Sequence, residues 1–390
     1  MSSTQRTSVV IVGGGASGLT LASFLQSANV RCVVLERRHR TYMEARQRAG
    51  VVDGRGVAMF ERWGLADKLL AGPVAASIDY RINGESRIFE IESSAGQSRF
   101  CTQQMLVNNL LKLFIDDMGG NIRFGADNIE VRNESGTAPR ISYTDDSGAH
   151  VLDCDYIVGC DGSHSVCRSS IPHGILTKYS HEFGYAWLAA LVETPVAEHP
   201  IMGVSDRGFI GQLPRGPKMS RFYLQCAVSD GPEDWSDERI WDEIRLRFND
   251  PELNNAPVLS KEIVPLRSVL FVPMQYNNMF LAGDAAHLVP PTGAKGMNLA
   301  LFDVDILAQA FVLAFRNGDT TALESYSDSV LPHLWRYQEY SAWMTDTMHD
   351  AGDASLHGTF RQMTARARLE TILHAPAAAR VHGDYQNGVL

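Results

Sequence analysis

The stretch Ser8-Val9-Val10-Ile11-Val12-Gly13-Gly14-Gly15-Ala16-Ser17-Gly18 decides the fold of this chain. Its Val/Ile run reads as a buried parallel strand, the glycines as a tight turn, and the following residues as the start of a helix. That arrangement holds backbone N–H groups and the positive end of a helix dipole against a pyrophosphate. Gly13 permits the turn, Gly15 lets the phosphates approach, Gly18 lets helix and strand pack closely, and Ser17 sits in the first helical turn. Working outward, Cys32-Val33-Val34-Leu35-Glu36 reads as a second strand. It ends on Glu36, 23 residues after Gly13, where a carboxylate can accept hydrogen bonds from a ribose diol. A plain strand-turn-helix has no need of an acid there.

Two later stretches extend the pattern. Cys154-Asp155-Tyr156-Ile157-Val158-Gly159-Cys160-Asp161-Gly162 stands midway, and Met279-Phe280-Leu281-Ala282-Gly283-Asp284-Ala285-Ala286-His287 stands late. In this order and at these distances, the three point to one molecule, flavin adenine dinucleotide (FAD).

At 390 residues the chain can hold two intimately connected domains with substantial cores. Its 45% hydrophobic and 21% charged content is that of an ordinary globular enzyme. A net charge of −10 argues against a nucleic-acid partner, because a phosphate backbone demands a basic face. Met1-Ser2-Ser3-Thr4-Gln5-Arg6-Thr7 lacks the apolar core of a signal peptide. No uninterrupted apolar stretch approaches the roughly 20 residues of a membrane span. The most apolar helical candidate, 299–315, is broken by Asp303 and Asp305. No membrane partner and a cytoplasmic location are therefore expected. The cysteines at 32, 101, 154, 160, 167 and 226 contain no CxxC pair, so buried free thiols are expected rather than disulfides or a metal site. No feature of the sequence decides the oligomeric state; a homodimer is the working expectation.

Alternation in Ile78-Asp79-Tyr80-Arg81-Ile82 and Arg87-Ile88-Phe89-Glu90-Ile91 predicts strands of a half-exposed sheet. Leu106, Leu110, Leu113 and Phe114 recur at helical spacing and predict a helix over 103–118. Strands are expected over 121–158, and a second strand-rich segment over 183–270, with 222–228 its clearest strand and a helix over 237–248 interrupting it. Beyond Gly296 the chain reads as mostly helical. The expected class is α/β: a Rossmann-like FAD-binding domain with an inserted β-sheet substrate domain and C-terminal helices. The binding domain would be discontinuous, over 1–75, 98–180 and 265–300. The substrate sheet would take 76–97 and 181–264, and the helical region 301–390.

With these motifs placed, the chain resembles the class A flavoprotein aromatic hydroxylases, and among them the enzymes acting on 4-hydroxybenzoate. The resemblance spans nearly the whole chain and weakens over the last 40 or so residues. It is most specific in Arg46-Gln47-Arg48-Ala49-Gly50-Val51, Asp234-Trp235-Ser236-Asp237-Glu238-Arg239, Pro265-Leu266-Arg267-Ser268, and Gly283-Asp284 through Pro290-Pro291-Thr292-Gly293-Ala294-Lys295-Gly296-Met297-Asn298. It implies hydroxylation of an aromatic carboxylate with NAD(P)H and O2, through a flavin C4a-hydroperoxide.

The resemblance also implies roles. Asp284 would hold the ribityl chain, while Arg48 and Gln103 would lie near the pyrophosphate and ribityl region. The 290–298 loop, with Pro291, Lys295, Gly296 and Asn298, would face the isoalloxazine ring, Asn298 hydrogen-bonding it. His164 and Arg267 would contact the coenzyme pyrophosphate. Arg37 and Tyr42 match a pattern that prefers NADPH to NADH. Arg215 and Tyr223 would bind a benzoate carboxylate through charge-assisted hydrogen bonds, and Arg221 would influence flavin position and charge.

The substrate region departs from the family. A serine that helps bind the carboxylate is replaced by Leu213, and the tyrosine that contacts the phenol aligns with Met202. No histidine occurs between His39 and His150, so the outer member of a proton relay is missing as well. A pocket that keeps the carboxylate anchor but lacks this relay would suit an amino- or aminohydroxybenzoate, whose nitrogen donates to the ring without ionising. Alternatives on the same fold are arylamine N-hydroxylation and flavin dehydrogenation. A halogenase is disfavoured because WxWxIP is absent. A non-catalytic flavin-fold binding protein is disfavoured because the glycine motifs are intact.

Overall fold

A computed structural model describes residues 5–46, 50–92, 96–195, 197–216, 218–349 and 356–389. In chain order its strands are β1 Gln5–Val12, β2 Cys32–Glu36, β3 Ser77–Ile82, β4 Glu85–Glu90, β5 Ile122–Phe124, β6 Asp127–Arg132, β7 Arg140–Asp145 and β8 Gly148–Gly159. They continue as β9 Thr177–Val192, β10 Ile201–Ser205, β11 Gly208–Gly216, β12 Met219–Ala227, β13 Val258–Val272, β14 Gln275–Tyr276, β15 Met279–Leu281 and β16 His287–Leu288.

The first sheet runs β14-β15-β8-β1-β2-β5, with β7 added on β8 and β6 on β7. β1 is parallel to both neighbours, Val12 lying opposite Leu35 and Gly159, and Leu281 of β15 lies opposite Gly159. Four strand ends therefore stop along one carboxyl edge. This edge is where open α/β sheets bind ligands, and the three motifs continue from it. Val9, Val10 and Ile11 are fully buried, as befits a parallel strand covered on both faces.

The second sheet runs β16-β13-β9-β12-β11-β10-β3-β4 and is antiparallel except between β10 and β3. Side-chain alternation divides it into two faces. Leu188, Ala190, Ile201, Phe222 and Leu224 pack outward against the Asp237–Phe248 helix through Trp241, Ile244 and Phe248. Trp187, Ala189, Met202, Phe209 and Tyr223 face the other way and join the main core. The long strands β9 and β13 carry this sheet beyond 181–264, to 177 at one end and 272 at the other.

The helix predicted over 103–118 is α-helical only over Gln103–Leu111 and widens into a π-helical turn over Lys112–Asp117. The chain then leaves through Gly119, at φ +66°, and Gly120, where a Cβ would stand 2.4 Å from the Phe114 ring. The Gly296–Asn317 helix is long and apolar enough by length and composition to cross a membrane, but 67% of its most apolar window is buried inside the protein. Its acids are engaged. Asp303 accepts from Gly283 N at 2.8 Å and lies 2.6 Å from His287 Nε2; Asp305 accepts from Arg62 and Trp63. All six cysteines are free, and burial pushes the Cys32 and Cys154 thiols up to about 12.

Candidate active site

The carboxyl edge of the first sheet gives each glycine of the opening motif a separate task. Gly13 has φ +102°, and a Cβ there would lie 2.3 Å from Cys160 O. A Cβ on Gly18 would lie 1.9 Å from Gly13 O. By contrast, a Cβ on Gly15 would meet nothing within 4 Å, so this face of the turn is open. The Ala16–Ser27 helix that follows has no side-chain cap and no acid in its first turn. Leu19 N is the first to bond back, to Gly15 O, so the earlier N–H groups have no partner within the helix.

Glu36 closes the turn from the side. Its Oε2 accepts from Gly14 N and its Oε1 from Arg38 N, both at 2.7 Å, which fixes the carboxylate with lone pairs to spare. A Cβ on Gly283 would stand 3.4 Å from Ser17 Oγ, which brings the third motif against the first. Asp284 beside it is exposed and has no partner among the described residues. Asp161 accepts from Val166 N and Cys167 N through Oδ2, while its buried Oδ1 has no partner. His287 belongs to the scaffold. Burial pulls its pKa down, but the Asp303 carboxylate outweighs burial and leaves it raised.

The 290–298 loop makes one turn over Pro291–Gly293, passes Ala294 at φ +52°, and enters the Gly296–Asn317 helix without a side-chain cap. The Asn298 amide is spent on the protein. Its Oδ1 accepts from Asp53 N, and its Nδ2 donates to Val51 O and Ala294 O. Among the described residues, the main-chain N–H groups of Gly296, Met297 and Asn298 have no partner within this helix. Lys295 is also committed, donating to Gln386 O at 2.7 Å and standing 3.4 Å from Asp53 Oδ2; burial pushes its pKa down against the opposing Asp53 charge. The 386–388 segment is stitched in further by Arg55 N to Asn387 O and Ser98 Oγ to Asn387 Oδ1. A Cβ on Gly50 would lie 2.9 Å from both Gln103 N and Met297 Cε, so Gln103 starts its helix beside this loop. Arg48 lies outside the described residues.

The inner face of the second sheet carries the other candidates. Register places Tyr80, Met202, Gly211, Tyr223, Ala189 and Glu262 in one transverse row across six strands. Arg215 is 8% exposed; it donates to Tyr223 Oη at 2.8 Å and Pro214 O at 2.7 Å, and its buried Nε has no partner. No carboxylate neutralises it among the described residues, and burial, aggravated by the Arg221 charge, pushes its pKa below the usual guanidinium value. Arg221 and Arg215 both lie 6.0 Å from the centre of the Tyr223 ring, and Arg221 is ion-paired with Glu262. Leu213 lies opposite Arg221 on the neighbouring strand.

The coenzyme candidates are all at the surface. Arg37, His164 and Arg267 are exposed, and the Arg38 guanidinium lies 4.9 Å above the exposed ring of Tyr42.

Residues 6–341 match the family described as FAD binding domain. The chain is 34% identical over 356 residues to p-hydroxybenzoate hydroxylase of Acinetobacter baylyi, covering 89% of this chain and 87% of that one. The chain belongs to that family. It is an FAD-dependent aromatic monooxygenase. A second relative, a probable NADH-specific resorcinol 4-hydroxylase of Rhodococcus jostii, is 27% identical; the match covers 84% of this monooxygenase and 62% of the relative. The fold is shared with p-nitrophenol 4-monooxygenase PnpA of Pseudomonas putida, at TM-score 0.81, 19% identity and 99% coverage of each chain. It is shared too with PqsL of P. aeruginosa in complex with 2-aminobenzoylacetate, at TM-score 0.78, 22% identity, and 93% and 100% coverage.

The residues of this monooxygenase fit FAD. The open Gly15 face and the uncapped helix suit a pyrophosphate, Glu36 a ribose, the unpaired Asp284 a ribityl hydroxyl, and the start of the Gly296–Asn317 helix a ring carbonyl. Sequence reasoning missed three groups. Asp303 ties the Gly283 turn to its helix, and Glu262 reaches Arg221 diagonally across β9. His382 shares a 2.8 Å hydrogen bond with Tyr80 Oη and a 3.4 Å one with Tyr340 Oη, with Phe89 and Trp343 packed around it. Burial, reinforced by the Lys295 charge, pulls the His382 pKa down to about 3, so the imidazole is neutral. A histidine therefore does stand one strand beyond Met202, supplied from the Pro376–Gln386 helix. No local pattern signals any of the three.

Proposed function

We propose that this monooxygenase uses NADPH and O2 to hydroxylate a benzoate carrying an electron-donating 4-substituent, hydroxyl or amino. The observation that carries the reading is Arg215, a buried guanidinium without an anion, with Tyr223 Oη as its polar companion. A buried charge of this kind calls for a partner of opposite sign, and a carboxylate matches the guanidinium fork.

Bound FAD, reduced by the coenzyme and supplied with O2, furnishes the electrophilic oxygen that an electron-rich ring takes up. The protein's task is placement. Arg215 and Tyr223 hold the carboxylate, while the Phe209 ring packs over Gly211, 3.1 Å from where a Cβ would stand. The 4-substituent then points toward Met202, two strands from Tyr223, a separation of roughly 9.5 Å at ordinary strand spacing. A thioether accepts no proton from a phenol, which favours an amine there. The exposed Arg37 and Tyr42 support NADPH, whose extra phosphate suits a guanidinium.

The test is a panel of benzoates assayed for stimulation of NADPH oxidation, with product identified and counted per NADPH consumed. A 4-amino ring should couple near neutral pH, whereas a phenol of pKa about 10 should couple better as pH rises. Hydroxylation at nitrogen would move the assignment to arylamine N-hydroxylation. Equal handling of benzoates and benzamides would remove the carboxylate from the reading.

A further inference from the structure

Around Tyr223 on the inner face of the second sheet, the described residues place two buried cations and one acid. Arg215 and Arg221 flank the same Tyr223 ring at 6.0 Å, and each has a buried Nε without a partner. The acid is Glu262. It enters from β13, two strands away from Tyr223, and its carboxylate reaches Arg221 diagonally across β9, where Ala189 lies opposite Glu262 and Leu191 opposite Arg221. Burial across this ion pair is lopsided, with the Arg221 side chain 9% exposed and that of Glu262 60%. The pair thus bridges the inside of the sheet face and solvent. An ion pair this exposed at one end adds little to stability, so its consequence lies in the charge it leaves in the pocket. With Glu262 in place, one guanidinium remains to be neutralised.

We infer that Glu262 sets the charge of the ligand, holding Arg221 so that the site accepts a singly charged aromatic carboxylate and rejects a second carboxylate. This rests on the reading of Arg215 as the carboxylate anchor. A second anionic group on the ring would have to displace Glu262 from Arg221, and meets its negative charge if it does not. Discrimination of this kind comes from a repulsive group built against the wrong ligand. Glu262 is a positioning and specificity residue: its effect on the ligand passes through Arg221.

The test uses the FAD-loaded, full-length protein and three probes, benzoate, phthalate and isophthalate, titrated by their effect on the flavin spectrum at pH about 7.5, where all their carboxyls are ionised. The parent should bind benzoate at least about tenfold more tightly than either dianion. Glu262→Gln should raise the affinity for at least one dianion relative to benzoate by about tenfold or more, while Glu262→Asp keeps the parental ratio. Because the side chain is largely exposed, the variants should fold. A Glu262→Gln ratio within about threefold of the parent overturns the inference. Failure of the underlying reading looks different: benzoate would bind equally well to the parent and to Arg215→Met.

Discussion

Replacing Arg215 with Met should push stability and binding in opposite directions. In the ligand-free protein the guanidinium is buried, lacks a carboxylate, and stands beside a second cation, so it is held at a cost. Swapping buried charge for an apolar side chain of similar volume is commonly neutral or stabilising by about 1–4 kcal/mol. The Tyr223 hydroxyl loses a donor in the exchange, which puts the expected gain at the low end, about 1 kcal/mol, or a rise in Tm of ~1–2 °C. Binding should fall by contrast. A hydrogen bond to a charged group contributes about 1.5–3 kcal/mol, so benzoate affinity should drop roughly ten- to 150-fold. Arg215→Lys should also lose affinity, since a point ammonium does not reproduce the fork. The assays are thermal unfolding of the flavin-loaded, ligand-free protein and a benzoate titration followed by the flavin spectrum. A Met variant that is less stable than the parent yet binds benzoate equally would show that Arg215 serves the fold, and the argument from its missing anion would be wrong.

Asp284→Ala should sharply lower flavin content after purification, because it removes a carboxylate beside the Gly283 turn that has no partner among the described residues; full occupancy would count against its ribityl role. Arg37→Gln should weaken NADPH more than NADH in steady-state KM, and equal losses would make the basic run a solvated face. Acid stability should report two buried histidines. Burial lowers the pKa of His349 to about 4 and of His382 to about 3, whereas the unfolded chain protonates each near pH 6.5. Between about pH 6.5 and 4 the unfolded state binds more protons, so stability should fall with pH by up to ~1.4 kcal/mol per unit for each histidine. His287, with its raised pKa, opposes this slope near the top of the window, where the unfolded imidazole is only partly protonated, and adds nothing lower down. His382→Gln should lower the slope measured by denaturant unfolding between about pH 6 and 5 by up to ~1.4 kcal/mol per unit, and an unchanged slope would refute the assignment.

The features legible in the sequence were those set by local chemistry. The strand-turn-helix at Gly13–Gly18 was readable because its glycines fall in one short segment: a Cβ on Gly18 would meet Gly13 O five residues back, although the clash at Gly13 is with the distant Cys160 O. The 237–248 helix was readable to the residue because Ser236 caps it, accepting from Arg239 N, and Asn249 ends it in the left-handed region. The π-helical widening at Lys112–Asp117 was not, since its heptad-like leucines fit either winding. Side-chain commitments across the fold escaped for a different reason. Asn298 and Lys295 sit in a dense motif that suggests ligand contacts, yet their side-chain partners are Val51, Asp53, Ala294 and Gln386. His382 meets Tyr80 from 302 positions away, and Glu262 meets Arg221 only through strand register. Such pairings depend on which strands become neighbours, and one chain's sequence does not display that.

The stitching of Lys295 to Gln386 bears on how this protein is made. A growing chain emits the Gly13 turn first, the Asp284 turn much later, and the segment that caps Lys295 later still. Until residues 386–388 arrive, the ammonium at the head of the Gly296–Asn317 helix lacks its carbonyl acceptor, and Asp53 lacks the close backbone of Gly388, whose absent Cβ would fall 2.5 Å from its Oδ2. The head of the Gly296–Asn317 helix thus settles only after residues 386–388 have been made. A chain cut back before residue 386 would keep the Gly13–Gly18 turn but leave Lys295 and Asp53 short of these contacts.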